Sequence, residues 1–337
     1  MKTKFNMAAY RFRLFNPARR KQYWLVLLFV FLFACGKESA VAPIIEPAPQ
    51  PGPKIYRIPV VVHVIHFGEP LGAGHNLSKE RIAGQIKLLN DDYRRREGTR
   101  GFNNHPDGGD ARIEFVFAQS APNGAATDGI VRVNAKAINN PVEENRLFDY
   151  FAYYSYWDPE RYLNIWTMPL LGATDVVLGM ATGPETDLPG AGLFIPGEPF
   201  QAEGVLINSE HFGESDLHSE HNLGRTLTHE VGHYLGLLHT WGGGDCNSND
   251  FCDDTPPVSK PVMGCSSGTE LACDGQPVMF ENYMNYTFDR CMNAFTNDQI
   301  GRMHYVLENS PRRTSLLDSP GLERPLVTAS QRSGLGL

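Results

Sequence analysis

The strongest pattern near the start of the folded region is the run Ile58-Pro59-Val60-Val61-Val62-His63-Val64-Ile65. Near-continuous β-branched residues without polar alternation predict a strand buried on both faces. A helix is expected next, from Ser78 as N-cap to about Glu97, because Ile82, Ile86, Leu89 and Tyr93 fall on one stripe with charge around the rest. Asp110 to Gln119 then alternates, with Ile113, Phe115 and Phe117 against Arg112 and Glu114, as a half-buried strand does. Shorter strands are expected at Gly129–Val133, Tyr162–Met168 and, in a Gly-rich stretch, Leu178–Thr182. His63 and His66 fall within or beside the first strand and read as packing or surface residues.

A different pattern occupies the N-terminus. Residues 1–34 hold seven Lys or Arg and no acid, and end in the apolar run Trp24–Ala34. A basic segment before a short apolar core is an export signal, and the run is shorter than the ~20 apolar residues a membrane span needs. Leu32-Phe33-Ala34-Cys35-Gly36 resembles a lipoprotein cleavage box, in which Cys35 becomes a lipidated N-terminus anchored to a membrane without spanning it. The alternative is ordinary signal cleavage beside an incidental cysteine. Residues 35–54 carry Pro43, Pro47, Pro49, Pro51 and Pro53, a semi-rigid tether. The reading is therefore signal 1–34, tether 35–54, one catalytic domain 55–316 and a tail 317–337.

Removing the signal sharpens the charge. The full chain is at −8; without those seven basic residues 23 cations face 38 acids, or −15. Such a surface argues against a nucleic-acid partner and suits cationic substrates or bound calcium.

The candidate chemistry lies in His229–Trp241, HEVGHYLGLLHTW. On a helix His229 and His233 share one face a turn apart, able to grip one metal ion, while Glu230 is placed to reach a water on that metal. Gly236 permits a left-handed turn that brings back His239 as a third nitrogen. Three imidazoles and one open position describe a catalytic zinc site rather than a structural one. Asn282-Tyr283-Met284-Asn285-Tyr286 supplies the methionine turn that accompanies this extended motif. His211, His218 and His221 cluster just upstream and read as a solvated loop. Asp245, Asp250, Asp253 and Asp254 form an acidic loop that suits calcium, though no defined calcium-loop pattern is present. Five cysteines lie between Cys246 and Cys291 without a CxxC pair; in an exported protein they should form disulfides, leaving one over.

Together IPVVVHVIH, QIKLLNDDYRR, ARIEFVFA, LNIW, GVLIN, the zinc motif with Thr240-Trp241, DDTPP, NYMNY and CMNAFTNDQIGRM resemble the pappalysin family of metzincin zinc peptidases, its cytophagalysin and ulilysin-like branch in particular. The resemblance runs from Ile55 to about Val306. It implies a two-lobed α/β (α+β) metzincin-type domain, with a twisted mixed sheet, backing helix and active-site helix in an upper lobe, above an irregular disulfide-bonded lower lobe. It places Met284 as an apolar floor under the metal and Tyr286 as a hydroxyl donor to the developing oxyanion; otherwise Tyr286 is a core aromatic. It pairs Cys265 with Cys291, and Cys273 with either Cys246 or Cys252. It offers Asp289 as the acid that reads a basic residue after the cut, with Arg290 as a neighbouring complication, and lays an extended peptide along residues 179–181.

The function expected is zinc-dependent hydrolysis of peptide bonds in extracellular proteins, with Glu230 as general base. A surface-anchored binding module on the same fold would need neither Glu230 nor all three histidines. A zinc hydrolase of other amides is the third reading.

Overall fold

A computed structural model describes residues 53–169, 177–190, 202–216, 219–247, 249–266 and 270–325. All of them belong to one compact unit within Pro51–Leu337. The expected signal, Cys35, the tether up to residue 52, His218 and the tail beyond residue 325 lie outside the described residues.

The β-branched run becomes the central strand β1, Tyr56–His66. Its side chains alternate between two cores, and both are dry. Ile58, Val60, Val62 and Val64 join the main core, whereas Ile65 packs with Trp166, Leu206 and Phe148 on the other face. Burial on both faces demands parallel neighbours covered by helices. That is the arrangement found: β2 (Ile113–Phe117), β3 (Ile130–Asn134) and β4 (Leu163–Met168) all run parallel to β1. β2 and β3 share one edge of β1, pairing with its first and second halves respectively. On the other side β4 is followed by β6 (Val205–Asn208), parallel, and β5 (Gly179–Ala181), antiparallel at the sheet edge.

Helix α1 (Lys79–Tyr93) backs the sheet, capped by the Ser78 hydroxyl accepting from the Arg81 amide at 3.2 Å. It stops four residues before the expected end. Arg94 leaves to pair with Asp110, and Arg95, at φ 42°, donates to the carbonyls of Asn103 and His105. The arginine run that reads as a helical surface is spent on the following loop. β2 is shorter than its alternating pattern for a similar reason. The Asp110 carboxylate accepts from the Arg112 amide at 2.8 Å and Arg112 sits at φ 53°, so the strand cannot begin before residue 113.

Three elements were not foreseen. Helix α2 (Leu147–Tyr154) buries Phe148 and Phe151 under the second core, and β6 is the strand formed by the motif GVLIN. Helix α4 (Asn297–Asn309) opens on a capping box, with Thr296 and Gln299 bonded reciprocally. Helix α3 (Arg225–Tyr234) crosses beside β5 and β6 and carries the motif histidines. After it the chain is mostly turns, bridged by Cys246–Cys273 and Cys265–Cys291. Cys252 remains a buried free thiol.

Candidate metal centre and cleft

Every residue of α3 is buried, and the helix is pinned at both ends. Arg225 at its start contacts Asp92 of α1 at 3.1 Å, while Thr228 donates to the other Asp92 oxygen at 2.7 Å. At its end the Arg313 guanidinium lies 3.5 Å over the Tyr234 ring and donates to that residue's carbonyl. Gly236 then takes φ +89°, and Arg302 accepts the turn by donating to its carbonyl at 2.7 Å. A residue with a Cβ resists that backbone region.

The turn brings three nitrogens to one point. The Nε2 atoms of His229, His233 and His239 lie 3.1–3.2 Å from one another. The far nitrogens fix the tautomers of two rings: Nδ1 of His229 donates to the Tyr283 carbonyl at 2.7 Å, and Nδ1 of His233 to the Leu237 carbonyl at 2.8 Å. Their Nε2 atoms therefore carry lone pairs, and lone pairs converging at this distance repel unless a cation lies between them. Tetrahedral zinc with Zn–N near 2.1 Å separates its nitrogens by about 3.4 Å, so the donor set fits the ion. Burial pushes His229 down to about 4 and His239 to about 3, and lowers His233 further with help from the other two rings. All three stay neutral and able to ligate at neutral pH. Among the described residues, these three form the one group of three His, Cys, Asp or Glu side chains whose ligand atoms converge in this way.

Glu230 is 8 % exposed and opens onto the same cleft. Burial alone raises its carboxyl to about 8; a cation beside it acts in the opposite direction, favouring the carboxylate. β5 passes directly over this residue. A Cβ on Gly179 would come within 2.8 Å of Glu230 Cγ and 2.9 Å of Thr226 Cγ2, so the strand can approach the helix only as glycine.

The floor is the methionine turn. Met284 is fully buried with its sulfur against Gly232. Asn282 holds the turn, accepting from the Met284 amide at 2.8 Å and exchanging bonds with Gln299 of the α4 cap. Thr240 donates to the Met284 carbonyl, which ties the His239 loop to the same turn. Tyr286 is 42 % exposed, so it is not a core aromatic. Its ring centre lies 4.9 Å from that of His239 and 4.6 Å from that of Trp241, which itself stacks on His239 at 4.1 Å.

Asp289 also lines this cleft, whose volume is about 630 Å³. Its side chain is buried at the entrance to α3, accepting from the amides of Leu223 at 2.8 Å and Arg225 at 3.2 Å. Arg290 turns away to Glu220 and lies over Phe288, so it does not block Asp289. Of the upstream histidines, His221 lines the cleft and His211 is buried, donating to the His221 carbonyl at 2.7 Å. His63 lies far from this centre, sealed between Ser155 and Asn164.

In the acidic loop Asp250 is buried, with one oxygen held by Thr255 and Cys252 and the other without a partner; burial raises it to about 6. Asp254 caps the start of α4 through the Asp298 amide and keeps its second oxygen buried and unpartnered.

Sequence reasoning named the ligands but not their supports. Asp92, Arg225, the Tyr283 carbonyl and Gln299 hold the histidines and the turn from positions far away in the chain. Of these, only Gln299 had a local signal, the Thr-x-x-Gln box.

The sequence model of the peptidase M43 family, described as pregnancy-associated plasma protein-A, matches residues 147–308. The chain is 38 % identical over 141 residues to an extracellular metalloprotease 1 of Coccidioides posadasii, covering 42 % of this chain and 48 % of that protein. An extracellular metalloprotease of Verticillium alfalfae is 30 % identical over 247 residues, 73 % of each chain. The chain spans about half the length of the Coccidioides protein and of an Arthroderma benhamiae relative. Among solved structures, mature mirolysin of Tannerella forsythia in complex with a cleaved peptide superposes with a TM-score of 0.67 at 32 % identity, covering 82 % of this chain and all of mirolysin. With two histidines on α3 and a third returned by the turn at Gly236, these likenesses place the chain in the pappalysin family of metallopeptidases.

Proposed function

We propose that the protein is a zinc-dependent endopeptidase. The observation that carries the reading is the convergence of three imidazoles, two of them tautomer-fixed, beside a buried glutamate, in a cleft with an open strand edge. Zinc held there supplies a Lewis acid that brings the pKa of a bound water from about 15.7 toward 7. Glu230 takes the proton released by the attacking water and passes it to the nitrogen of the departing amine. The Tyr286 hydroxyl, at the cleft surface beside His239, donates to the oxygen that gains charge in the transition state. Met284 contributes no chemistry; it fills the space beneath the histidines and keeps that space apolar.

The substrate lies extended along β5. This strand pairs with β6 on one side and is the last of the sheet on the other, so its outer amides and carbonyls are available to a peptide main chain. Met180, Met263 and Tyr286 are exposed apolar side chains around the same cleft, suited to the substrate's flanking residues. Mirolysin in complex with a cleaved peptide supports a peptide as the substrate. Asp289, in the cleft with the side chains of Arg225 and Arg290 committed to Asp92 and Glu220, favours Arg or Lys after the scissile bond. Calcium is proposed for the Asp250–Asp254 loop, where two buried carboxylate oxygens lack partners. The N-terminal pattern and the extracellular relatives support export, with Cys35 as a lipid anchor.

The test is to digest a complex peptide mixture with the zinc-loaded protein and its Glu230→Ala variant, mapping new termini by mass spectrometry. Cleavage by the parent alone is expected. Equal termini from both, or none from a folded zinc-loaded parent, refute the reading. Loss of stability on chelating calcium, reversed by Asp250→Asn, tests the calcium site. Labelling by a lipid precursor that Cys35→Ala abolishes tests the anchor.

A further inference from the structure

Asp289 is more constrained than a simple acidic pocket base. Its amide donates to the Glu220 carbonyl at 3.0 Å, and its Oδ2 accepts the two amides that open α3. Only Oδ1 remains for a ligand. That oxygen faces Nδ1 of His221 at 3.5 Å. The separation is too long for a good hydrogen bond and short enough for an imidazole to screen the carboxylate. The Asp289 side chain is 1 % exposed and that of His221 is 27 % exposed, although both line the cleft. The more exposed imidazole thus lies beside the one free oxygen of a buried acid, at the cleft.

His221 is held there from outside the cleft. Its carbonyl accepts from buried His211, its amide donates to Ser219, and its ring meets Phe288 edge-on at 6.1 Å. The nearby cations are committed elsewhere, Arg225 to Asp92 and Arg290 to Glu220. No other side chain is paired with Asp289 among the described residues.

We propose that His221 is a specificity-determining residue. It screens Asp289, and a basic side chain entering after the scissile bond must displace its ring to reach Oδ1. This rests on the proposed role of Asp289. The imidazole tempers the preference for Arg and Lys, so that neutral residues also enter this subsite. Discrimination is a difference of two affinities, and a removable screen acts on one of them.

The experiment compares kcat/KM for two peptides that differ only in Arg or Leu after the cut, using the zinc-loaded protein. His221→Ala should raise the Arg/Leu ratio about tenfold, and His221→Lys, a fixed cation beside Oδ1, should lower it about tenfold. Asp289→Asn, which keeps an acceptor for the two amides, should bring the ratio close to one. His221→Gln, with thermal melting to show that it folds, keeps the ring's volume in part and should fall between parent and Ala; it carries the test with His221→Lys if the Ala variant does not fold. Opposite shifts from Ala and Lys are not what a merely structural role would produce. Ratios unchanged in both His221 variants, with Asp289→Asn still collapsing the ratio, overturn the His221 proposal and leave Asp289 standing. An unchanged ratio in Asp289→Asn removes the underlying reading, and this proposal with it.

Discussion

The cleft has two unlike sides. Its upper wall is regular: a sheet parallel except for its edge strand β5, with α1 and α3, packed through side chains of almost zero exposure. Its floor is nearly all turns, with one small apolar cluster (Val258, Val262, Ala272, Val278), two disulfides and a capped helix. Two of the candidate ligands, His229 and His233, and the proposed base Glu230 come from the wall. His239, Met284, Tyr286 and Asp289 come from the turn before the floor or from the floor itself. The wall gets its rigidity from buried area and from one desolvated ion pair. The floor has too little apolar surface for that and relies on covalent links and side-chain-to-backbone bonds. Chemistry common to a family is carried by the wall, while the residues that face a substrate's side chains sit where loops can vary.

Breaking each side in its own way sharpens the contrast. The largest effect is expected in the wall. Arg225→Met leaves the Asp92 carboxylate buried without its cation and should cost about 4 kcal/mol, read from denaturant unfolding. Asp92→Asn in the same background should recover much of it, because burial already raises Asp92 to about 6 and favours its neutral form. A null effect of Arg225→Met would mean that the wall does not depend on this pair. Second is the floor. Replacing Cys265 and Cys291 by Ser opens a loop of 26 residues and should cost about 3 kcal/mol. If the floor is as separable as its packing suggests, hydrogen exchange should rise there first, with β1 and β4 still protected.

Third is a pH effect confined to the wall. Burial pushes His63 from 6.5 down to about 4. The unfolded chain then binds a proton that the folded chain refuses, so stability is complete above pH 6.5 and is lost as pH falls toward 4. Between pH 7 and pH 5 this group should contribute a loss of about 2 kcal/mol. Comparing the unfolding midpoints of parent and His63→Gln at the two pH values isolates it; equal slopes would rule it out. The smallest effect belongs to the floor. Tyr286→Phe should lower kcat about tenfold, roughly 1.4 kcal/mol, with KM and melting temperature nearly unchanged. A change in KM alone would make Tyr286 a binding residue.

The contrast also marks what the chain discloses by inspection. β1, α1 and the ligand helix are local patterns, periods of two or 3.6 filled by apolar residues, and they stand out in the one-dimensional order. His239 was legible because Gly236 fixes the turn that returns it. Two of the missed elements are short or lack a clean stripe: α2 is aromatic nearly all round, and β6 is four residues long. The third, α4, carried both a capping box and a helical stripe (Ile300, Met303, Val306, Leu307) and was legible. Partners far apart in sequence were not legible at all. Nothing near Asp92 announces Arg225, and nothing in the spacing of five cysteines says that Cys252 is the one left unpaired. The arginines after Tyr93 read as helix because the partners of Arg94 and Arg95, Asp110 and the carbonyls of Asn103 and His105, lie in the next loop, while Arg96 turns back to Asp91.

The most direct test of the central claim is a zinc titration. Chelated protein would be given graded zinc, with bound metal counted per chain and cleavage of an arginine-containing peptide followed alongside, for the parent and His239→Ala. The account predicts that activity rises with zinc and saturates at one ion per chain, and that His239→Ala binds the ion more weakly and stays inactive. Cleavage by the metal-free protein, or a parent that binds one zinc in this site and hydrolyses nothing, would contradict it.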